Sequence, residues 1–174
     1  MDIAVTAAPI TEKPVIERLL ELYIYDYSEF MGWDVDGEGR FGYRYLDNFW
    51  TEDNRFPFLV RVDGIIAGFA LVTILEKDGA PETDMSEFFV MRKYRRQGVG
   101  RIAAATLFDR FPGQWRVRQI LANVPAQAFW RSVIGAYTNG DYGESTTDRH
   151  VIQTFRAGDP AKPIPPSQGH PCEE

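Results

Sequence analysis

Cysteine occurs once, at Cys172, and histidine twice, at His150 and His170. A single cysteine cannot close an internal disulfide, and the use of so few thiols fits a cytoplasmic protein. Cys172 sits in a polar, Pro-rich stretch with no helix terminus beside it to lower its pKa, so it is not expected to be a nucleophile. Neither histidine belongs to a cluster with metal-ligand spacing, and no metal is expected. Basic charge is also short: 19 Lys and Arg stand against 25 Asp and Glu, for a net charge of -6 and a pI near 5.0. That balance argues against nucleic acid or an anionic membrane as a partner, since either needs a broad basic face. No apolar run approaches the roughly 20 residues needed to cross a bilayer. The opening MDIAVTAAPITEK has no basic region followed by an apolar one, so a secretory signal is not expected. No internal repeat is visible. The 174 residues suit one domain with a sizeable core, at 44% hydrophobic and 25% charged.

What the chain does have is a local exception to its acidity. Residues 87–108, EFFVMRKYRRQGVGRIAAATLF, read as a short apolar strand, a basic loop, two glycines and an alanine-rich helix. Arg92, Lys93, Arg95, Arg96 and Arg101 fall within ten positions, beside Gly98 and Gly100. A Gly-rich, positive turn that opens a helix is a natural anion cradle, because first-turn N–H groups point outward and the helix dipole adds positive charge there.

Around this feature the pattern predicts strands and helices in the order β, α, α, ββ hairpin, β, α, β, α, β. Residues 3–7 form a first strand, and Thr11 and Pro14 open a helix over about 12–30 with Ile16, Leu19, Leu20, Tyr23 and Tyr27 on one face. A Gly/Asp-rich loop with Asp34, Asp36 and Glu38 follows, then an aromatic segment, 41–50, that reads as a short helix. Asp63-Gly64 between apolar runs 56–62 and 65–75 is a strong hairpin signal. Residues 76–85 read as a polar loop leading to strand 86–91. The glycine helix stops near Arg110, before Pro112. Strand 117–124, a helix opened by Pro125 and fading near Tyr137, and a closing strand 147–155 complete the set. An α/β architecture follows, a mixed sheet with helices on both faces. Residues 1–157 are the expected domain, and 158–174 a mobile Pro-rich tail.

Three phosphate cradles compete for the glycine turn. A P-loop needs Lys and then Ser or Thr after its last glycine, but Gly100 is followed by Arg101-Ile102. Gly98-x-Gly100-x-x-Ala103 formally matches a dinucleotide fingerprint. That motif, however, wants glycine directly after the strand and an acidic residue about 20 positions on, and residues 116–123 contain none. The third match is Arg95-x-x-Gly98-x-Gly100, which resembles the pyrophosphate motif Q/R-x-x-G-x-G/A of the GNAT acetyltransferase superfamily. The preceding Phe88-Phe89-Val90 resembles that family's acetyl-binding strand. Residues 123–135, NVPAQAFWRSVIG, resemble its strand-end Asn followed by an A-x-x-F/L-Y helix. The resemblance spans about residues 87–135.

It implies the GNAT fold and an N-acetyltransferase that moves acetyl from acetyl-CoA to a primary amine, by direct attack within a ternary complex. The acceptor would be a small-molecule amine or a peptide amine, and a homodimer is left open. The donor's pantetheine arm would pair with Phe88, Phe89 and Val90, while Arg95, Arg96, Gln97, Gly98, Val99, Gly100 and Arg101 surround the pyrophosphate. Glycine at 98 and 100 would spare the phosphate a Cβ. Asn123 would bond the arm and Trp130 would border it; Phe129 fits beside the arm and fits equally as core. Glu87 is the base candidate, with a strand-end surface carboxylate as its alternative, and the Val90 N–H would hold the oxyanion.

Trp130 stands where many relatives carry the tyrosine acid, and an indole N–H is no proton donor to a thiolate. Tyr137 is the candidate acid on the same helix face, though about 10 Å further along the axis. Tyr142 and Tyr23, Tyr25 or Tyr27 of the first helix are other hydroxyls, and a thiol with a pKa near 8.5 also leaves unaided. Asp34, Asp36 and Tyr27 are the acceptor-site candidates, the acids attracting a cationic amine. Core is the expected place for Phe41, Tyr43, Tyr45, Phe49 and Trp50. A CoA-binding module without turnover is the alternative function, and Trp130 is its main support.

Overall fold

The structure, a computed structural model, describes residues 1–158. Of the tail expected at 158–174 only Gly158 is among them, and the rest, with His170 and Cys172, lies outside. Chain order runs β1 (Ile3–Ala7), α1 (Lys13–Met31), α2 (Asn48–Thr51), β2 (Arg55–Val62), β3 (Ile65–Lys77), β4 (Ala80–Val90), α3 (Val99–Arg110), β5 (Gly113–Ile120), α4 (Val124–Thr138), β6 (Gly143–Thr146) and β7 (His150–Ala157). The strands form one sheet in the order β1-β2-β3-β4-β5-β7-β6. Among the described strands only the β4–β5 pair is parallel, as its crossover through α3 requires.

Local chemistry explains most of these elements. Asp63 and Gly64 both take positive φ, 50° and 79°, which suits the two-residue turn between β2 and β3. The αL residue Gly32 ends α1 and donates its N–H to the Ser28 carbonyl. α1 buries Ile16, Leu19, Leu20 and Ile24, whereas Tyr23 and Tyr27 sit half-buried at the edge of that face.

The strand boundaries correct the sequence pattern in one place above all. Residues 76–85 are no loop: β3 runs on to Lys77, Asp78 and Gly79 make a second tight turn at φ 52° and 76°, and β4 starts at Ala80. Glu82, Thr83 and Asp84 are polar yet buried, because Arg116 and Arg118 of β5 and Lys77 of β3 pair with the carboxylates. Alternation of polar and apolar residues cannot reveal a strand whose buried positions are charged. Smaller corrections follow the same principle of tertiary override. The aromatic segment is helical only over Asn48–Thr51, the strand expected at 117–124 is Gly113–Ile120, and the closing strand divides into β6 and β7 around residues 147–149.

The sheet buries both faces. Leu59, Phe69, Leu71 and Phe89 pack under α1 and α2 with Ile16, Leu20 and Phe49. Phe58, Ala70, Val72 and Met85 face the other way, with Ala104, Leu107 and Phe108 of α3, Trp115 of β5 and Trp130, Val133 and Ile134 of α4. Each such large side chain contributes roughly 1.5–3 kcal/mol of burial free energy. Strands β3 and β4 approach closely at Gly68, where an added Cβ would stand 2.0 Å from the Phe89 carbonyl oxygen.

Candidate active site

Two irregularities in β4 create the site. The first is a bulge. Leu71 pairs with Glu87 and Val72 with Met85, so Ser86 is the extra residue. Met85 and Glu87, two apart, therefore point to opposite faces: Met85 into the α3–α4 core, Glu87 toward α1, on the same side as Phe89. The second is the end of the parallel pairing. β4 and β5 match only from Glu82–Gln114 to Met85–Val117, and beyond that point the two strands part.

Glu87 forms the floor of a cavity of about 710 Å³ walled by α1, the loop after it and the ends of β5 and β7. Tyr27 and Trp33, stacked at 6.2 Å, form one wall; Phe41, Tyr43 and Tyr45 form another. Tyr43 donates its hydroxyl proton to Glu87 Oε1 at 3.0 Å, and Tyr23 lies beside the carboxylate. Burial raises the Glu87 pKa above the ordinary carboxylate value; nearby Asp84 adds to this, while Tyr23, Tyr43 and Arg118 oppose it. The site thus holds a carboxylate moved toward neutrality, which suits a general base. Asp34, Arg44, Arg118 and His150 supply the remaining charged or titratable groups of the lining.

A smaller cavity, about 80 Å³, occupies the gap where β4 and β5 separate. Phe88, Val117, Gln119, Asn123, Ala126 and Trp130 line it. Tyr23, Tyr27, Met85, Ser86, Glu87 and Arg118 line both cavities, so the two meet at Glu87. Ser86 Oγ is engaged with Thr73 at 2.8 Å and Asp84 at 3.2 Å, and Asp84 in turn holds Arg116 Nε at 2.9 Å.

The glycine turn lies beyond the open end of β4. Gly98, at φ 81°, precedes the first turn of α3, which has no side-chain cap. Ile102 donates to the Gly98 carbonyl at 3.0 Å, so the N–H groups of Val99, Gly100 and Arg101 have no acceptor within the helix. This arrangement fits a pyrophosphate. Arg96, at φ 62°, and Arg101 are exposed beside it. The exposed Gln97 turns its side-chain amide back to the Lys93 carbonyl at 2.6 Å.

Other expected residues are placed differently. Arg95 is committed elsewhere: its guanidinium donates to the Val90 carbonyl and to Asp26, each at 2.7 Å, and lies over the Phe89 ring. With Arg92, also on Asp26 at 2.7 Å, it straps the loop to α1. Gly100 serves packing rather than phosphate clearance, because a Cβ there would meet Phe129 at 3.1 Å. Phe129 in turn lies against Phe88, with ring centroids 6.0 Å apart. Asn123 borders the small cavity but uses its Oδ1 to cap α4, accepting from Ala126 N at 3.1 Å, which leaves its amide N–H groups for a ligand. Val90 lines neither cavity, and Phe89 is core. Tyr137 is not brought to the site. It donates to Asp109 of α3 at 2.7 Å among Phe108 and Phe155, with its pKa pushed up to about 12 by burial and that carboxylate. Asp36 is spent on its own loop, accepting from the N–H groups of Glu38 and Arg40, whereas Asp34 and Tyr27 do reach the cavity.

The aromatic run expected to be core divides: Phe41, Tyr43 and Tyr45 line the cavity, and Phe49 and Trp50 pack inside. The pairing of Tyr43 with Glu87, and the places of Arg118 and His150, left no signal in the sequence. Tyr43 stands 44 positions from Glu87, and Arg118 34 positions from Asp84.

Comparison with known proteins agrees with this geometry. No curated protein matches the sequence. Among solved structures, the ribosomal-protein-S18-alanine N-acetyltransferase from Escherichia coli superposes with a TM-score of 0.61 at 17% identity, over 94% of this chain and 99% of that one. An acetyltransferase from Thermus thermophilus gives 0.68 at 15% identity, over 90% and 97%. The PaiA N-acetyltransferase from Thermoplasma acidophilum, solved with coenzyme A, gives 0.58 at 12%, over 90% and 99%. At such identities these likenesses establish the fold. The profile of the acetyltransferase (GNAT) family matches residues 16–136, which include the parted strands, the uncapped helix and Glu87, and the chain therefore belongs to that family.

Proposed function

We propose that this protein is a cytoplasmic N-acetyltransferase that moves acetyl from acetyl-CoA to a primary amine, with both substrates bound together. The observation that carries the reading is the position of Glu87, at the junction of the β4–β5 gap and the aromatic cavity. In this reading the first turn of α3 holds the pyrophosphate and the gap holds the thioester. Coenzyme A supplies acetyl as an activated thioester. The amine enters from the larger cavity, where aromatic faces favour a cation. Glu87 takes its proton, and the freed lone pair attacks the carbonyl carbon. Main-chain N–H groups on the parted edge of β4 steady the oxyanion. The cavity suits a small amine or the exposed end of a peptide.

The test is thiol release from acetyl-CoA over polyamines, aromatic amines and peptides. Acceptor-dependent release supports transfer. Acetyl-CoA binding without release on any acceptor favours a binding module, the second reading. One observation supports that alternative: Trp130, 6% exposed and packed on Phe88 and Phe129, brings no hydroxyl to the gap.

A further inference from the structure

Trp130 closes the α4 side of the gap without an O–H group, so a proton for the departing thiolate must come from another wall. The hydroxyls lining the small cavity belong to Ser86, Tyr23 and Tyr27. Ser86 is held between Thr73 and Asp84. The two tyrosines come from one face of α1, four residues apart, with ring centroids at 5.3 Å. Both line the gap and the acceptor cavity. Tyr23 lies against Phe69 and Phe89 with its phenol beside Glu87. Tyr27 stacks on Trp33, and its phenol contacts that of Tyr23 and the backbone of Ile120 at the end of β5.

We propose that Glu87, Tyr23 and Tyr27 form a proton relay that carries the proton taken from the amine to the sulfur of the departing coenzyme A. The proposal rests on the acetyl-transfer reading. Each phenol has one proton, so the relay runs from protonated Glu87 to Tyr23, from Tyr23 to Tyr27, and from Tyr27 into the gap. Glu87 first takes a proton from the ammonium ion. The amine nitrogen bonds to the acetyl carbon and the C–S bond breaks, its electron pair staying on sulfur. Tyr27 gives its proton to that sulfur, Tyr23 reprotonates Tyr27, and Glu87 reprotonates Tyr23. The amide nitrogen sheds its second proton to solvent, leaving neutral amide, free thiol and a carboxylate ready for another cycle.

Energetics favour a conduit over a solitary donor. Burial raises both phenol pKa values, first for Tyr23 and also for Tyr27, above the ordinary value near 10, so neither phenol alone is a good acid toward a thiolate of about 8.5. A relay needs neither to stay ionised. Its net transfer runs from a carboxylic acid to the more basic thiolate. The titratable and charged groups facing the pair or its cavity are Glu87 and Asp84 of β4, Arg118 of β5, His150 of β7, and Asp34, Tyr43, Arg44 and Tyr45 of the loop after α1.

The experiment uses the full chain with acetyl-CoA and the best amine of the panel, comparing wild type with Tyr27→Phe and Tyr23→Phe. Phenylalanine keeps the ring contacts and removes the hydroxyl. The expected result is a kcat lower by at least about tenfold in each variant with acetyl-CoA KM within about twofold. A readout beyond rate separates relay from packing. With the relay broken, the thiolate must take its proton from the medium and Glu87 must lose its own there, so the variants' kcat rises with the concentration of a small buffer at fixed pH and wild type's does not. Turnover by both variants at the wild-type rate, or a lowered kcat indifferent to buffer, overturns the relay and leaves acetyl transfer standing. A wild type silent with every amine overturns both.

Discussion

Replacing Glu87 by Gln separates the chemistry of the site from its stability, because the two should move in opposite directions. Glutamine keeps an oxygen to accept the Tyr43 hydroxyl, now 3.0 Å from Oε1, so the cavity wall keeps its bond. What is lost is the base. General-base contributions are typically 10²- to 10⁴-fold, and at 1.36 kcal/mol per decade that is about 2.7–5.4 kcal/mol of barrier. Expected kcat falls by that factor, while acetyl-CoA affinity, set at the α3 turn, stays within about twofold. Stability should rise. The folded state raises the Glu87 pKa through burial, so the protonated form is favoured there. That contribution is fully present below the unfolded value near 4.5 and is lost as pH rises through the raised folded value, leaving a buried charge at neutral pH. Glutamine removes the charge. The variant should therefore melt higher than wild type at pH 7 by calorimetry, with the gap closing toward pH 4. Unchanged turnover would remove Glu87 from the mechanism, and a lower melting temperature at pH 7 would refute the account of its burial.

Other expectations test the frame around it. Gly68→Ala drives a methyl to 2.0 Å from the Phe89 carbonyl, a backbone atom that cannot swing aside. It should cost about 3 kcal/mol or more, seen as a lower urea midpoint. Gly98→Ala meets open space but a φ of 81°, so about 1 kcal/mol of strain and a several-fold higher acetyl-CoA KM are expected with kcat nearly kept. Asp26→Asn frees Arg92 and Arg95. Burial pushes the Asp26 pKa up, but hydrogen bonds from Arg95 and Arg92 outweigh it and hold the pKa below 3.8. Its stabilising contribution is thus present above that value and fades as pH falls through the lower folded one; the exposed pairs limit the effect to about 1 kcal/mol. Acid melts of variant and wild type should therefore converge at low pH.

How much of this was legible in advance follows from the range of the interactions. Gly98, the arginine-rich loop and the Asp63-Gly64 hairpin act over a few residues, so they, and the family resemblance of the glycine turn, were visible without the fold. The sequence by itself determined the element order as far as α4 and the kind of molecule the α3 turn suits. Only the tertiary structure decided which residues meet there. Asp84 becomes a strand residue because Arg116, 32 positions on, neutralises it; Arg95 is withdrawn from the phosphate side because Asp26, 69 positions back, claims it. Glu87 faces α1 because one extra residue in β4 reverses the parity of the strand, and it is buried because Tyr23 and Tyr43 close over it. Charge burial depends on partners that fold to the same place, and no local pattern encodes them.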